Sequence, residues 1–179
     1  MSELRFHPGR LAQVAFVVED IEEAIVTHSR ELKLGGWSLF KNFRFDELLY
    51  RGQPRPLEMH AAICFSGEMM YELIQPIGDG PSVYRDTIDS RGYGFHHFGY
   101  MVEALDDVVA DYESRGHVLA QYSETANGIR AAYMDAGPAV PGMVELLEIS
   151  QGATETFAPI YAASLAWDGK SPAITRYGD

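Results

Sequence analysis

Two carboxylates, an imidazole and an amide are the side chains that could do chemistry in this chain: Glu72, Glu145, His97 and Gln13. None stands out alone. They stand out because they fall at matching places in a pattern that occurs twice. The stretch Gly94-Phe95-His96-His97-Phe98-Gly99-Tyr100-Met101-Val102 has the length and aromatic content of a strand, followed by the acidic helix start Glu103-Ala104-Leu105-Asp106-Asp107. Leu11-Ala12-Gln13-Val14-Ala15-Phe16-Val17-Val18, followed by Glu19-Asp20-Ile21-Glu22-Glu23, repeats that pattern with Gln13 at the place of His97. Downstream, Tyr71-Glu72-Leu73-Ile74 parallels Val144-Glu145-Leu146-Leu147.

If the halves are related by an internal two-fold axis, Gln13 meets His97 and Glu72 meets Glu145. Oxygen and nitrogen donors of this kind suit a divalent ion with positions left for water, such as Mg, Mn, Co, Ni or Zn. Without a cation, two facing carboxylates in a cleft repel, and one of them holds its proton more tightly. Adjacent strand residues point to opposite faces, so only one of His96 and His97 is expected to look into a given pocket. His60 is open: an even hairpin loop turns it away from Glu72, and an odd loop turns it in. Arg85 and Arg130 are further candidates, to hold a substrate carboxylate, though surface solvation accounts for them as well.

The elements that would position these groups follow from periodicity and turn chemistry. Strand 11–18 leads to a helix begun by Asp20 and ended by Gly35-Gly36, then strand 37–45, an irregular loop over 46–55, and a hairpin of strands 57–65 and 69–75 around Ser66-Gly67-Glu68. A short helix capped by Ser82 and stopped by Gly92 links to the second half. That half comprises strand 96–102, helix 105–115, strands 117–122 and 129–134 around Asn127-Gly128, and strand 143–149. The expected fold is α+β: two tandem βαβββ modules whose curved mixed sheets form a metal-containing cleft. A single domain would hold module 11–77, linker 78–95, module 96–149 and an irregular C-terminal arm over 150–179.

Composition narrows the partners. An apolar share of 46% in 179 residues is ordinary for a folded domain. A net charge of −12 argues against nucleic acid and anionic membrane surfaces, both of which need a basic face. Cys64 is the single cysteine, which excludes a disulfide framework and a thiolate metal cluster. Neither a secretory signal in the first residues nor an apolar run of membrane length is read, so a cytoplasmic protein is expected.

The βαβββ repeat, the Gly94-Phe95-His96-His97 strand and the strand carboxylates Glu72 and Glu145 resemble the vicinal oxygen chelate superfamily over residues 11–149. The pattern is most similar to methylmalonyl-CoA epimerases and glyoxalase I-type lyases. The resemblance implies one divalent metal held by Gln13, Glu72, His97 and Glu145, with His97 rather than His96 as the ligand. It implies an isomerase, epimerase or lyase acting on a small α-oxygenated carbonyl compound through a stabilised enolate, with Glu145, or else Glu72, as base. Epimerases carry histidine where this chain has Gln13, and some glyoxalase I enzymes carry glutamine there. Extradiol dioxygenases of the superfamily use two histidines and a carboxylate for iron, and Gln13 in place of one histidine counts against that activity. A non-catalytic binding protein like the bleomycin-resistance members is the alternative. Nothing in the chain marks a glutathione or CoA site. A homodimer is expected from the likeness and the long C-terminal arm.

Overall fold

The computed structural model describes residues 4–138 and 140–178. One mixed sheet, ordered β11-β2-β5-β6-β1-β7-β10-β9-β8-β3-β4, carries four helices. Its strands are β1 (Leu11–Val17), β2 (Trp37–Arg44), β3 (Glu47–Tyr50), β4 (Gln53–Pro54), β5 (Glu58–Ser66), β6 (Met69–Ile77), β7 (Gly94–Val102), β8 (Val118–Glu124), β9 (Arg130–Asp135), β10 (Met143–Glu148) and β11 (Ile174–Tyr177). The helices are α1 (Ile21–Leu32), α2 (Val83–Arg91), α3 (Leu105–Ser114) and α4 (Gln151–Leu165). Among the described residues no helix is long and apolar enough to cross a membrane.

The order is symmetrical about the seam between β1 and β7, which run antiparallel. Each of these strands pairs in parallel on its other side, β1 with β6 and β7 with β10. Asp20 caps α1 by accepting from the Glu23 amide, and Ser82 does the same for α2 from Arg85. The face of the half-barrel that carries α1 buries Ile21, Ile25, Trp37, Leu39 and Leu73. The counterpart under α3 buries Leu105, Met134, Val144 and Leu146. The opposite, concave face is left for the site. The α+β architecture of two βαβββ units is the one expected.

Two segments depart from expectation. Residues 46–55, read as irregular, contain β3 and β4, joined through Arg51 and Gly52 at φ 48° and 74°. β3 does not return to its own half; it pairs antiparallel with β8 and extends the second half's edge. Gly52, Pro54 and Pro56 mask a strand this short in the sequence.

The C-terminal arm is not irregular. Ser150 accepts from the Ala153 amide to start α4, and β11 pairs in parallel with β2. Small residues along α4 blur its periodicity, and Pro159 reads as a breaker, yet the helix continues through it. Gly36 has φ 72° and no room for a side chain: a Cβ would stand 2.5 Å from the Ala163 carbonyl oxygen. Glycine there lets α4 lie directly on the start of β2.

Candidate functional site

The seam places all four donors on one face around two small residues. Ala15 on β1 lies between Glu72 on β6 and His97 on β7. Gly99 on β7 lies between Gln13 on β1 and Glu145 on β10. Residues opposite one another across a ladder share a face, as do i and i+2 on one strand. Gln13, Glu72, His97 and Glu145 are all at least nine-tenths buried. A Cβ on Gly99 would come within 2.4 Å of Gln13 Oε1, so glycine at that position is what admits the amide.

Gln13 Nε2 donates to Glu72 Oε2 at 2.9 Å. His97 Nε2 stands 3.3 Å from Glu145 Oε2 and 3.7 Å from Glu72 Oε2. Gln13 Oε1, His97 Nε2 and Glu145 Oε2 are buried without a hydrogen-bond partner. Burial first, and repulsion from Glu145 second, raise the Glu72 carboxyl well above its ordinary value.

His96 decides which nitrogen His97 presents. The β1–β7 register slips between Ala15/His97 and Phe16/Phe95, leaving His96 as the extra residue of a bulge. A matching slip between Leu11/Tyr100 and Gln13/Gly99 leaves Ala12 extra in the other strand. The bulge brings the two imidazoles side by side, while only His97 turns a nitrogen to Glu72 and Glu145. The two imidazole Nδ1 atoms are 2.8 Å apart, and His96 Nε2 is 3.2 Å from the Val83 carbonyl oxygen. That carbonyl can only accept, so His96 carries its hydrogen on Nε2. Burial, then the neighbouring His97, hold the His96 pKa well below its ordinary value. A neutral His96 therefore accepts at Nδ1 and His97 donates from Nδ1, which leaves Nε2 as the His97 nitrogen turned to the carboxyl groups.

Two carboxylate oxygens brought together inside a protein are unfavourable unless something positive lies between them. Ligands held at about 2.1 Å from one ion stand roughly 3.0 Å apart in an octahedron and about 3.4 Å apart in a tetrahedron. The separations of 3.3 and 3.7 Å from His97 Nε2 to the two carboxyl oxygens fall around the tetrahedral edge. Among the described residues no three His, Cys, Asp or Glu side chains are already closed around one point as a metal cage. Gln13 turns its NH2 rather than its oxygen to Glu72. Half a turn of the amide exchanges the two, and the donor set then fits a divalent cation.

Gln13, Glu72 and Glu145 line one end of a cavity of about 220 Å³, with His97 Nε2 buried beside the two carboxyl groups. Phe40, Phe43, Phe45, Met59, Ile63 and Phe157 form much of its wall. A bulge in β2, with Asn42 at φ 51°, brings Phe40 and Phe43 to the same face although they are three residues apart. Tyr84 and Tyr133 also line it, their hydroxyls 2.9 Å apart. Burial raises both phenols well above the ordinary range, so both are neutral donors. Neither tyrosine was singled out from the sequence. Tyr133 stands opposite Glu145 across β9 and β10, but the loop joining those strands hides the register.

The remaining candidates lie elsewhere. The β5–β6 hairpin pairs Ser66 with Met69, an even loop, which sets Glu72 opposite Ile63 and turns His60 away. His60 Nδ1 accepts from the Asn42 amide. Arg130 is engaged by Glu148, Asp106 and Tyr122, and Arg85 by the Gly78 carbonyl and Asp79. Among the strand aromatics, Phe40 and Phe43 line the cavity. Phe16 and Tyr71 stack at 5.2 Å in the core under α1, and Tyr100 packs under α3.

The sequence matches the glyoxalase/bleomycin resistance protein/dioxygenase superfamily over residues 12–133, more than half of the chain. The chain belongs to that superfamily. No curated protein matches the sequence. Among solved structures, the hypothetical protein BH1468 from Bacillus halodurans C-125 is similar at TM-score 0.57 and 19% identity, over 79% of this chain and 95% of its own. Methylmalonyl-CoA epimerase from Mycobacterium tuberculosis is similar at TM-score 0.55 and 19% identity, over 81% and 91%. A Streptomyces coelicolor methylmalonyl-CoA epimerase variant in complex with 2-nitronate-propionyl-CoA gives TM-score 0.53 and 15% identity, over 81% and 97%. At these identities the likeness is one of fold, and it agrees with the superfamily assignment.

Proposed function

We propose that this protein is a divalent-metal-dependent isomerase or epimerase, or a glyoxalase-type lyase, acting on a small α-oxygenated carbonyl compound. The observation that carries the reading is the set of unpartnered atoms, Gln13 Oε1, His97 Nε2 and Glu145 Oε2, gathered beside Glu72 at the end of a cavity. Bound there, a divalent cation would supply Lewis-acid stabilisation of the oxyanion that develops when a carbon next to a carbonyl loses its proton.

The chain's own residues supply the rest. His96 engages His97 Nδ1, which leaves His97 Nε2 as the nitrogen turned to the donor cluster. Glu145 Oε2 lines the cavity without a hydrogen-bond partner, which makes it the first candidate for the base. Glu72, whose carboxyl favours the protonated form, is the second. Tyr84 and Tyr133, as neutral phenols, can donate to an oxygen that gains charge. Return of the proton to the opposite face of the same carbon is epimerisation; return to the neighbouring carbon is isomerisation.

The test is stoichiometric binding of Mn, Co, Ni or Zn after reconstitution, together with solvent-deuterium exchange at the substrate α-carbon. A protein that takes up no divalent metal, or that catalyses no exchange when loaded, fails it. The second reading is sequestration of a small molecule by a non-catalytic binding protein, and the apolar wall of the cavity favours it. Unchanged ligand affinity in metal-free His97→Ala protein would support that alternative. Iron-dependent ring cleavage has less support, because both nitrogens of His96 are engaged and it offers no second histidine ligand.

A further inference from the structure

The cavity wall contains no lysine or arginine among the described residues. The strand pleat is the reason. On β2, Arg44 falls between Phe43 and Phe45, both in the wall, so it faces outward, where it pairs with Glu58. At the start of β9, Arg130 falls between Ile129 and Ala131, also in the wall, and turns out to Glu148 and Asp106. Both arginines near the cavity are thus held on the outer face by acids. At the end away from Glu72 and Glu145 the lining is uncharged: Ser123, Thr125, Asn127 and Thr156. Asn127 and Thr156 are tied together by a 2.9 Å hydrogen bond.

The charge balance at the other end points the same way. Two carboxylates offset one divalent cation and leave nothing over for an anionic substrate. Without the cation they repel an anion outright. A carboxylate or phosphate drawn into this wall would lose its hydration without gaining a counter-ion. The volume of about 220 Å³ is below the roughly 300–1,000 Å³ of sites for larger ligands, and the apolar wall suits one hydrocarbon ring.

We propose that the substrate is a neutral, ring-bearing hydroxycarbonyl compound, held with its vicinal oxygens at Glu72 and Glu145 and its ring against Phe40, Phe43 and Phe157. An acyl-CoA or a carboxylic acid is the wrong class. The inference rests on the proposed function for the orientation of the oxygens, while the selection for a neutral ring follows from the wall itself.

Two near-isosteric probes test it. 1-Hydroxy-1-phenylpropan-2-one and mandelate both present vicinal oxygens and a phenyl ring, and differ by a methyl group in place of a carboxylate oxygen. Calorimetric titration into manganese-loaded and metal-free full-length protein is expected to give at least tenfold tighter binding of the ketol in both. Thr156→Lys, which puts a cation at the half-exposed rim, is expected to narrow that preference. Mandelate or methylmalonyl-CoA binding as tightly as the ketol, or neither phenyl compound binding, would overturn the inference. Exchange of the carbon-bound proton of the carbinol carbon in deuterium oxide is read separately. Ketol binding without exchange would sink the proposed enolisation and leave the substrate class standing.

Discussion

Gln13 reaches the site because Gly99, its partner across the β1–β7 seam, has no side chain. A Cβ at residue 99 would lie 2.4 Å from Gln13 Oε1 and 2.7 Å from Gln13 Cβ. The second contact is to the root of the side chain, which no rotation relieves. Gly99→Ala is therefore expected to push Gln13 off the donor cluster and to cost about 1–3 kcal/mol by overpacking. Thermal unfolding measures the cost, and competition with a chromophoric chelator measures the metal. Affinity for a divalent ion equal to that of the wild type would show that the Gln13 oxygen is not a ligand.

His96 is expected to act on the metal through His97. Replacing it by phenylalanine keeps the ring volume and removes the acceptor for His97 Nδ1. Loss of such an outer partner typically weakens metal binding about 10–100-fold. His96→Asn places an oxygen near the former Nδ1 position and should recover much of that loss. The two variants separate positioning from packing: a structural role alone predicts that the asparagine, being smaller, is the worse one.

The donors and the twist that joins them differ in how plainly the sequence announces them. Gln13, Glu72, His97 and Glu145 are legible because duplication puts them at matching offsets, and symmetry then brings matching offsets together. The bulge at His96 is not legible. It arises from how β7 accommodates β1, a tertiary constraint, and no glycine marks it. Leu48 and Tyr50 are apolar enough for a strand, but the partner that stabilises them, β8, lies in the other half of the chain. α4 is hidden for a different reason. Alanine, glycine and serine make its buried and exposed faces alike, and burial against β5 and β2 rather than amphipathic contrast holds it.

Glu72 gives a pH signature to the metal-free protein. Its folded pKa is raised above 4.5 by burial and by Glu145, so the folded state keeps a proton that the unfolded state has released. The stability it contributes is present at low pH and is lost as pH rises through the folded value. Glu72→Gln removes the dependence and keeps an acceptor for Gln13. Metal-free Glu72→Gln is thus expected to melt above metal-free wild type at pH 8, and level with it near pH 4. The low pKa of His96 acts with the opposite sign, its contribution being lost as pH falls below 6.5, but it is common to both proteins and cancels in the difference. Addition of manganese should raise only the wild type. Equal melting curves at pH 8 would mean that Glu72 is not under charge stress.

The last prediction concerns how the C-terminal segment reaches the cavity. Ser164 on α4 accepts from the Phe65 amide at 2.9 Å, and Gly36 donates its amide to the Pro172 carbonyl at 3.0 Å. Both contacts bind α4 and β11 to the edge of the first half, and α4 in turn places Phe157 and Thr156 in the cavity wall. Gly36→Ala combines a backbone at φ 72°, which costs an L-residue about 1–2 kcal/mol, with a Cβ 2.6 Å from Ser164 Cα. The helix must lift for the alanine to fit. Hydrogen exchange is expected to accelerate across residues 151–177, ahead of the strands at the seam, because β1 and β7 do not depend on α4 for their pairing. Affinity for a phenyl ketol should fall with the loss of Phe157, while metal affinity, set at the far end of the cavity, stays within a factor of a few. A parallel loss of metal binding would mean that the C-terminal segment shapes the donor cluster itself.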